Sequence, residues 1–305
     1  MLFLLETVVS GLLAGVMYSL VALGFVLIFK ASGIFNFAQG VFALFAGLAL
    51  YDFIADDGWF YHMFGFVLPV WAGIIATMGV MVIVAWLVEF LVLRHLVNQE
   101  PIILFMSTIG LAYFLEGLGD TLFGSDVKPL DIGLPHGAVD FLLDDYNFYV
   151  EKLEIVAAVV AAVLVVVLAV FFQKTRIGRA LRAVADDHQA ALSVGISLRT
   201  IWVIVWSVSG FVALVAGIMW GSKSGIQFSL SLIALKALPV LILGGFTSVP
   251  GAIIGGLIIG VGEKVAEVYA GPFVGSAIEN WFAYMLALAF LLFRPQGLFG
   301  EKIIE

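Results

Sequence analysis

The chain has 305 residues, 63% of them hydrophobic and 12% charged, with a formal net charge of −8 and a mean hydropathy of +1.16. A soluble domain of this size would leave much of that apolar surface in water, so the composition places the chain in a bilayer, and its acidic balance argues against nucleic acid as a partner. The absence of cysteine from the sequence excludes disulfides and thiolate metal sites.

In chain order, MLFLLETVV lacks the basic leader of a cleaved signal and reads as the start of a first span. Apolar segments follow over 4–29, 34–50, 64–93, 101–123, 155–172, 201–221, 230–246, 250–270 and 278–293. Two are short and interrupted. Segment 34–50 begins with Asn36 and Gln39, and segment 230–246 carries Lys236 and Pro239, so each reads as a broken or re-entrant helix whose loose backbone needs protein or a cavity around it. The 33 glycines suit spanning helices whose backbones approach closely, Gly251 and Gly255 having the small-xxx-small spacing.

Basic residues set the orientation. Lys30, Arg94, Lys174, Arg176, Arg179, Arg182, Arg199, Arg294 and Lys302 all fall on one side if the apolar segments cross in turn, whereas 51–62 and 124–154 are acidic. The basic side is the cytoplasm, which puts the N-terminus outside and the C-terminus inside. The longest cytoplasmic connection is then 173–200. Within it, TRIGRALRAVADDHQAALSVGI fits one helix of about 15 residues at helical spacing, with Leu181, Val184, His188 and Leu192 as an apolar stripe and Arg179, Arg182 and Asp186 as a charged face. Gly178 and Gly195 bracket that helix, Gly195 as a C-terminal stop. Such a helix lies either on anionic headgroups or in a groove of a soluble partner.

Four stretches resemble one family: ALGFVLIFKASGIFNFAQG (22–40); the run from Glu89 through Arg94 to Thr108, Ile109 and Gly110; GRALRAVADDHQAALSVGI (178–196); and LKALPVLILGGFTSVPGAIIGG (235–256) with Glu263 and the terminal LLFRPQGLFG (291–300). The chain resembles a LivH-type permease, the membrane subunit of branched-chain amino-acid ABC importers. The resemblance implies an all-α polytopic transmembrane helical bundle of about eight or nine spans, with one or two broken or re-entrant helices and a cytoplasmic coupling helix. It implies one permease domain over 1–305 with a cytoplasmic coupling loop at 173–200; the acidic loop at 124–154 matches nothing in the family. The implied partners are a LivM-like second permease, two cytoplasmic LivG/LivF-like ATPase subunits and an extracytoplasmic solute-binding protein, in a bacterial inner membrane. Gly178, Arg179, Leu181, Arg182, Val184, Ala185, Asp186, Leu192 and Gly195 are then the candidate ATPase-coupling residues.

No lysine follows a glycine, so the chain has no P-loop, and ATP is expected to be used by partner subunits with no cofactor bound here. His62, His95, His136 and His188 have no metal-ligand spacing and no Gly-x-Ser-x-Gly elbow appears, so neither a metal site nor enzyme activity is expected. Charges in spans are costly and mark functional candidates, here Glu116, Lys236, Glu263 and Lys264, with Glu89 nearer a cytoplasmic end. The candidate pathway residues are Glu116, Lys236 and Glu263 with Asn36, Phe37, Gln39 and Gly40, where an apolar run restarts, and Gly244 and Gly245 at a hinge or turn. Each has a structural alternative. Lys236 and Glu263 would form an ion pair that fixes helix register, Asn36 and Gln39 would cap a broken helix, and the glycines would serve packing. A proton-coupled secondary transporter using Glu116, Lys236 or Glu263 as a relay is the rival function.

Overall fold

The structure, a computed structural model, describes residues 2–97, 99–146, 148–186, 188–275 and 278–300. Its helices are α1 (Leu2–Ser32), α2 (Gln39–Ile54), α3 (Trp59–Phe64), α4 (Val70–Leu91), α5 (Pro101–Phe123), α6 (Asp140–Tyr146), α7 (Lys152–Lys174), α8 (Arg176–Asp186), α9 (His188–Ser193), α10 (Leu198–Ser224), α11 (Ile233–Gly244), α12 (Val249–Tyr269), α13 (Gly271–Val274) and α14 (Glu279–Phe293). Among the described residues there is no β-sheet, only two isolated bridges, Lys128 with Ile226 and Ala138 with Glu151. The fold is the all-α polytopic bundle expected. Among the described residues, seven helices are long and apolar enough to cross a membrane: α1, α2 with its continuation to Phe64, α4, α5, α7, α10 and α12.

Two expected spans are shorter than the sequence pattern suggested. Segment 230–246 resolves into a 3₁₀ turn at Phe228–Leu232 and the 12-residue α11, which spans only about 18 Å. Segment 278–293 yields the 15-residue α14, about 22 Å long against a hydrocarbon core of about 30 Å. Segment 34–50, by contrast, supplies a full helix that begins only at Gln39.

The chain packs as two compact units. One comprises 27–132 and 166–232, the other 1–26, 133–165 and 233–305. In the first, α2 is the centre, with every residue from Gln39 to Leu50 buried, as expected of a helix that is apolar all round. α10 reaches it so closely that Gly217 lies against the Ala43 carbonyl, where a Cβ has no room. The Phe42 and Trp206 rings meet edge to face at 5.7 Å, and Gly210 of α10 leaves space for Met81 of α4.

In the second unit, α12 carries small residues on two sides. Gly251 and Gly255 face α11 at Gly244 and the Val240 carbonyl, which bears out the spacing read from the sequence. Gly256 and Gly260 face Gly15 and Gly11 of α1, a second small-xxx-small pair on each helix. Ser19 Oγ, adjacent to this contact, donates to the Gly15 carbonyl at 2.8 Å and lies 3.2 Å from that of Ala252.

A Cβ at Gly256 would stand 2.7 Å from the Gly15 carbonyl oxygen, whereas one at Gly117 of α5 meets nothing within 4 Å. Thermal unfolding of the detergent-solubilised protein should therefore show G256V destabilised by about 1–3 kcal/mol or more and G117V close to the parent.

Candidate functional site

The break between α1 and α2 is a closed polar network. Asn36, Gln39 and Ser209 are all fully buried. Asn36 Oδ1 accepts from the Ala38 amide at 3.1 Å, and the Gln39 amide donates to the Asn36 carbonyl at 3.2 Å, so Asn36 closes the turn that starts α2. Gln39 Oε1 accepts from Ser209 Oγ of α10 at 2.8 Å and from Asn36 Nδ2 at 3.4 Å. On the other side, Thr108 Oγ1 of α5 accepts from the Phe37 amide and stands 3.0 Å from the Phe35 carbonyl. Side chains thus replace the helical hydrogen bonds lost at 33–38, which in hydrocarbon would have no other partner. This is the capping arrangement, with Gly40 buried in the first turn of α2 and Phe37 half-buried. Glu116 is placed apart from it, half-exposed on α5 two turns beyond Thr108.

In the other unit, Lys236 of α11 and Glu263 of α12 form the expected ion pair at 3.1 Å. Glu263 is 2% exposed, and the Tyr18 hydroxyl lies 3.4 Å from the same carboxylate oxygen. The Tyr18 ring also lies 5.7 Å from the ammonium. The buried carboxylate is thus held by a cation from α11 and a phenol from α1. Tyr284 adds a tie from α14, its hydroxyl donating to the Leu235 carbonyl at 2.7 Å.

Gly244 and Gly245 end α11 in a tight turn. Gly245 has φ +101°, which favours glycine, and Ser248 caps α12 by accepting from the Gly251 amide at 3.1 Å. The terminal Arg-Pro-Gln-Gly-Leu-Phe-Gly segment folds back here: the Leu298 and Phe299 amides donate to the carbonyls of Leu243 and Gly244 at 2.8 and 3.2 Å. The tail therefore satisfies the carbonyls that end α11.

The 176–196 segment is helical over Arg176–Asp186 (α8) and His188–Ser193 (α9), with residue 187 between them outside the described residues. Thr175 caps α8 by accepting from the Gly178 amide at 2.9 Å, and a Cβ at Gly178 would strike the carbonyls of Phe171 and Phe172, so glycine is required at this turn out of α7. Gly195 is the stop predicted. With φ +84° it donates to Leu192 O while Ile196 donates to Ala191 O, each at 3.0 Å, the paired bonds of a Schellman motif.

The apolar stripe is turned inward. Leu181 and Val184 are buried within their own unit, Ala185 is half-buried, and only Leu192 stands out at 51% exposed. The outer surface is instead made by Arg176, Arg179 and Arg182 with Ile177, Leu192 and Val194. The side chains of Asp186 and His188, and all of Lys302, lie outside the described residues, so the expected Arg182–Asp186 pair does too.

Sequence reasoning missed Ser209, Tyr18, Gly11, Gly15 and the partner of Glu89, which is Arg199 at 3.1 Å. The hydrogen-bonded partners of Tyr18, Glu89 and Ser209 are 110 to 245 residues away in sequence, and no local spacing announces such pairs. The one available signal was a polar or small residue inside an apolar run.

The long apolar helices define a multi-pass membrane protein, and its relatives place it in the permease class. The chain belongs to the family described as the permease component of the branched-chain amino acid transport system, which matches residues 7–294. It is 26% identical to the high-affinity branched-chain amino acid transport system permease protein LivH of Escherichia coli K12, over 100% of this chain and 98% of the relative. It is 28% identical to the corresponding permease protein BraD of Pseudomonas aeruginosa, over 99% and 97%. The chain is thus a permease subunit of an ABC importer, as the resemblance implied.

K236M leaves the Glu263 carboxylate buried without its cation, and should lower stability by roughly 3–5 kcal/mol. The double variant K236M/E263M should recover most of that loss in a thermal-unfolding assay of the purified protein. A double variant as stable as the parent that no longer supports uptake would instead assign the pair to the pathway.

Proposed function

We propose that this permease sits in a bacterial inner membrane with its N-terminus outside and its C-terminus in the cytoplasm, and that ATPase subunits drive it through α8 and α9. The observation that carries this reading is the build of that element. It is capped at both ends, its apolar side is already occupied within its own unit, and it turns Arg176, Arg179 and Arg182 outward. The burial of Leu181 and Val184 leaves Ile177, Leu192 and Val194 as the large exposed apolar groups beside the arginines, a mixed surface that suits a protein partner. A capped, charged, exposed element suits a partner that pushes.

The orientation follows from charge. The described basic residues of the proposed cytoplasmic set lie at helix ends or in connections, as the positive-inside bias requires. Within its unit, the tail bonded to the end of α11 brings Arg294–Gly300 to the same side as the Gly245–Ser248 turn.

The ATP would be hydrolysed by two separate LivG/LivF-like subunits, because the sequence lacks a P-loop. A LivM-like second permease would complete the pathway and an extracytoplasmic binding protein would deliver the solute. The names of the relatives support a branched-chain amino acid as that solute. The proton-relay alternative is weakened by Lys236 and Glu263, which are held against each other.

In proteoliposomes holding the complete transporter and its binding protein, leucine uptake should require ATP and persist when the proton gradient is collapsed. R179E/R182E places like or missing charges at the contact and should cut uptake about tenfold or more while the permease still inserts. Uptake that follows the proton gradient, or that is unchanged in R179E/R182E, would refute the reading.

A further inference from the structure

Glu89 lies two residues before the end of α4, with its side chain 1% exposed. One carboxylate oxygen, Oε2, accepts from Arg199 Nε at 3.1 Å, and Oε1 has no hydrogen-bond partner among the described residues. A buried carboxylate with one oxygen unsatisfied is expensive and calls for a reason. Helix packing does not supply one. α4 and α10 already meet through Met81 and Gly210, and an apolar side chain at 89 would fill the same volume without the charge.

The position of Arg199 supplies the reason. It is the second residue of α10 and comes four residues after Gly195, the stop of α9. Ser197 between them caps α10 by accepting from the Thr200 amide. Arg199 is 54% exposed, so its side chain reaches from the loop surface into the dry site that holds Glu89. It is the first charged side chain after α9 and is bonded to the base of a different helix. A displacement of α8 and α9 reaches α10 through a four-residue connection and reaches α4 through this ion pair. The planar guanidinium also has further N–H groups, so the spare Oε1 offers it a second, bidentate setting when it shifts.

We propose that Glu89 and Arg199 are positioning residues that carry the movement of α8 and α9 to α4, with Oε1 as the acceptor that Arg199 takes up in the displaced state. The proposal rests on the reading of α8 and α9 as the ATPase contact.

The test uses the complete transporter in proteoliposomes, measuring ATP hydrolysis and uptake together. E89M/R199M removes both charges and so leaves neither one buried alone. It should assemble and hydrolyse ATP, with uptake per ATP lowered about tenfold, within the range of couplings carried by such networks. R199K keeps the charge but loses the planar fork, and should fall between the double variant and the parent. Parental uptake per ATP in E89M/R199M would overturn the proposal. So would failure of that variant to assemble, because the pair would then be a folding element. R182E separates the two levels: if it too leaves uptake and ATPase binding unchanged, the reading of α8 and α9 fails. If R182E uncouples while E89M/R199M behaves as the parent, only the Glu89–Arg199 tie fails.

Discussion

Hydrocarbon offers no hydrogen bonds, so every backbone group released where a helix stops must find its partner in protein. Two helix breaks in this chain show how that demand is met. At 33–38 the freed groups go to the side chains of Asn36 and Thr108. At 244–248 they go to Ser248 and to the amides of the returning tail. The stretches that carried the family resemblance, Asn-Phe-Ala-Gln-Gly, Gly-Gly-Phe-Thr-Ser-Val-Pro-Gly and Arg-Pro-Gln-Gly-Leu, are the ones that close these breaks. In this chain Asn36 satisfies backbone at the first break, and both Asn36 and Gln39 are fully buried.

The same economy governs packing. Association of helices in lipid draws on close van der Waals contact more than on hydrophobic burial. Glycines at 11, 15, 217, 244, 251, 255, 256 and 260 let one backbone rest on another. Where a charge enters a helix pair, at Glu263 or Glu89, a cation from the neighbouring helix meets it. α7 shows the opposite pattern, a run of Val, Ala and Leu whose valines at 159, 163, 166, 167 and 170 remain exposed, the composition of a lipid-facing helix.

Much of this was legible in the sequence because it is local. The apolar runs, the asymmetry of Lys and Arg, the stop at Gly195 and the Gly251–Gly255 spacing all depend on residues a few positions apart. The pairing of Lys236 with Glu263 was legible because two lone charges in adjacent spans leave few alternatives. The inward turn of Leu181 and Val184 was not, since an amphipathic period names an apolar side without saying what covers it. Nor were the lengths of α11 and α14, where apolar composition runs on past the helical residues. Ser209 and Arg199 were invisible as partners because tertiary packing alone brings them to Gln39 and Glu89.

How ATP-driven force enters the membrane then reduces to which surface the ATPase touches. The chain has no cysteine of its own, so single cysteines report position without background. In the assembled transporter, R182C on α8 and Y149C in the acidic connection, both at exposed positions, can each be labelled with a short thiol-directed photo-crosslinker. The account predicts that the ATPase subunit is captured from R182C and not from Y149C. Capture from Y149C, or from neither, would contradict it.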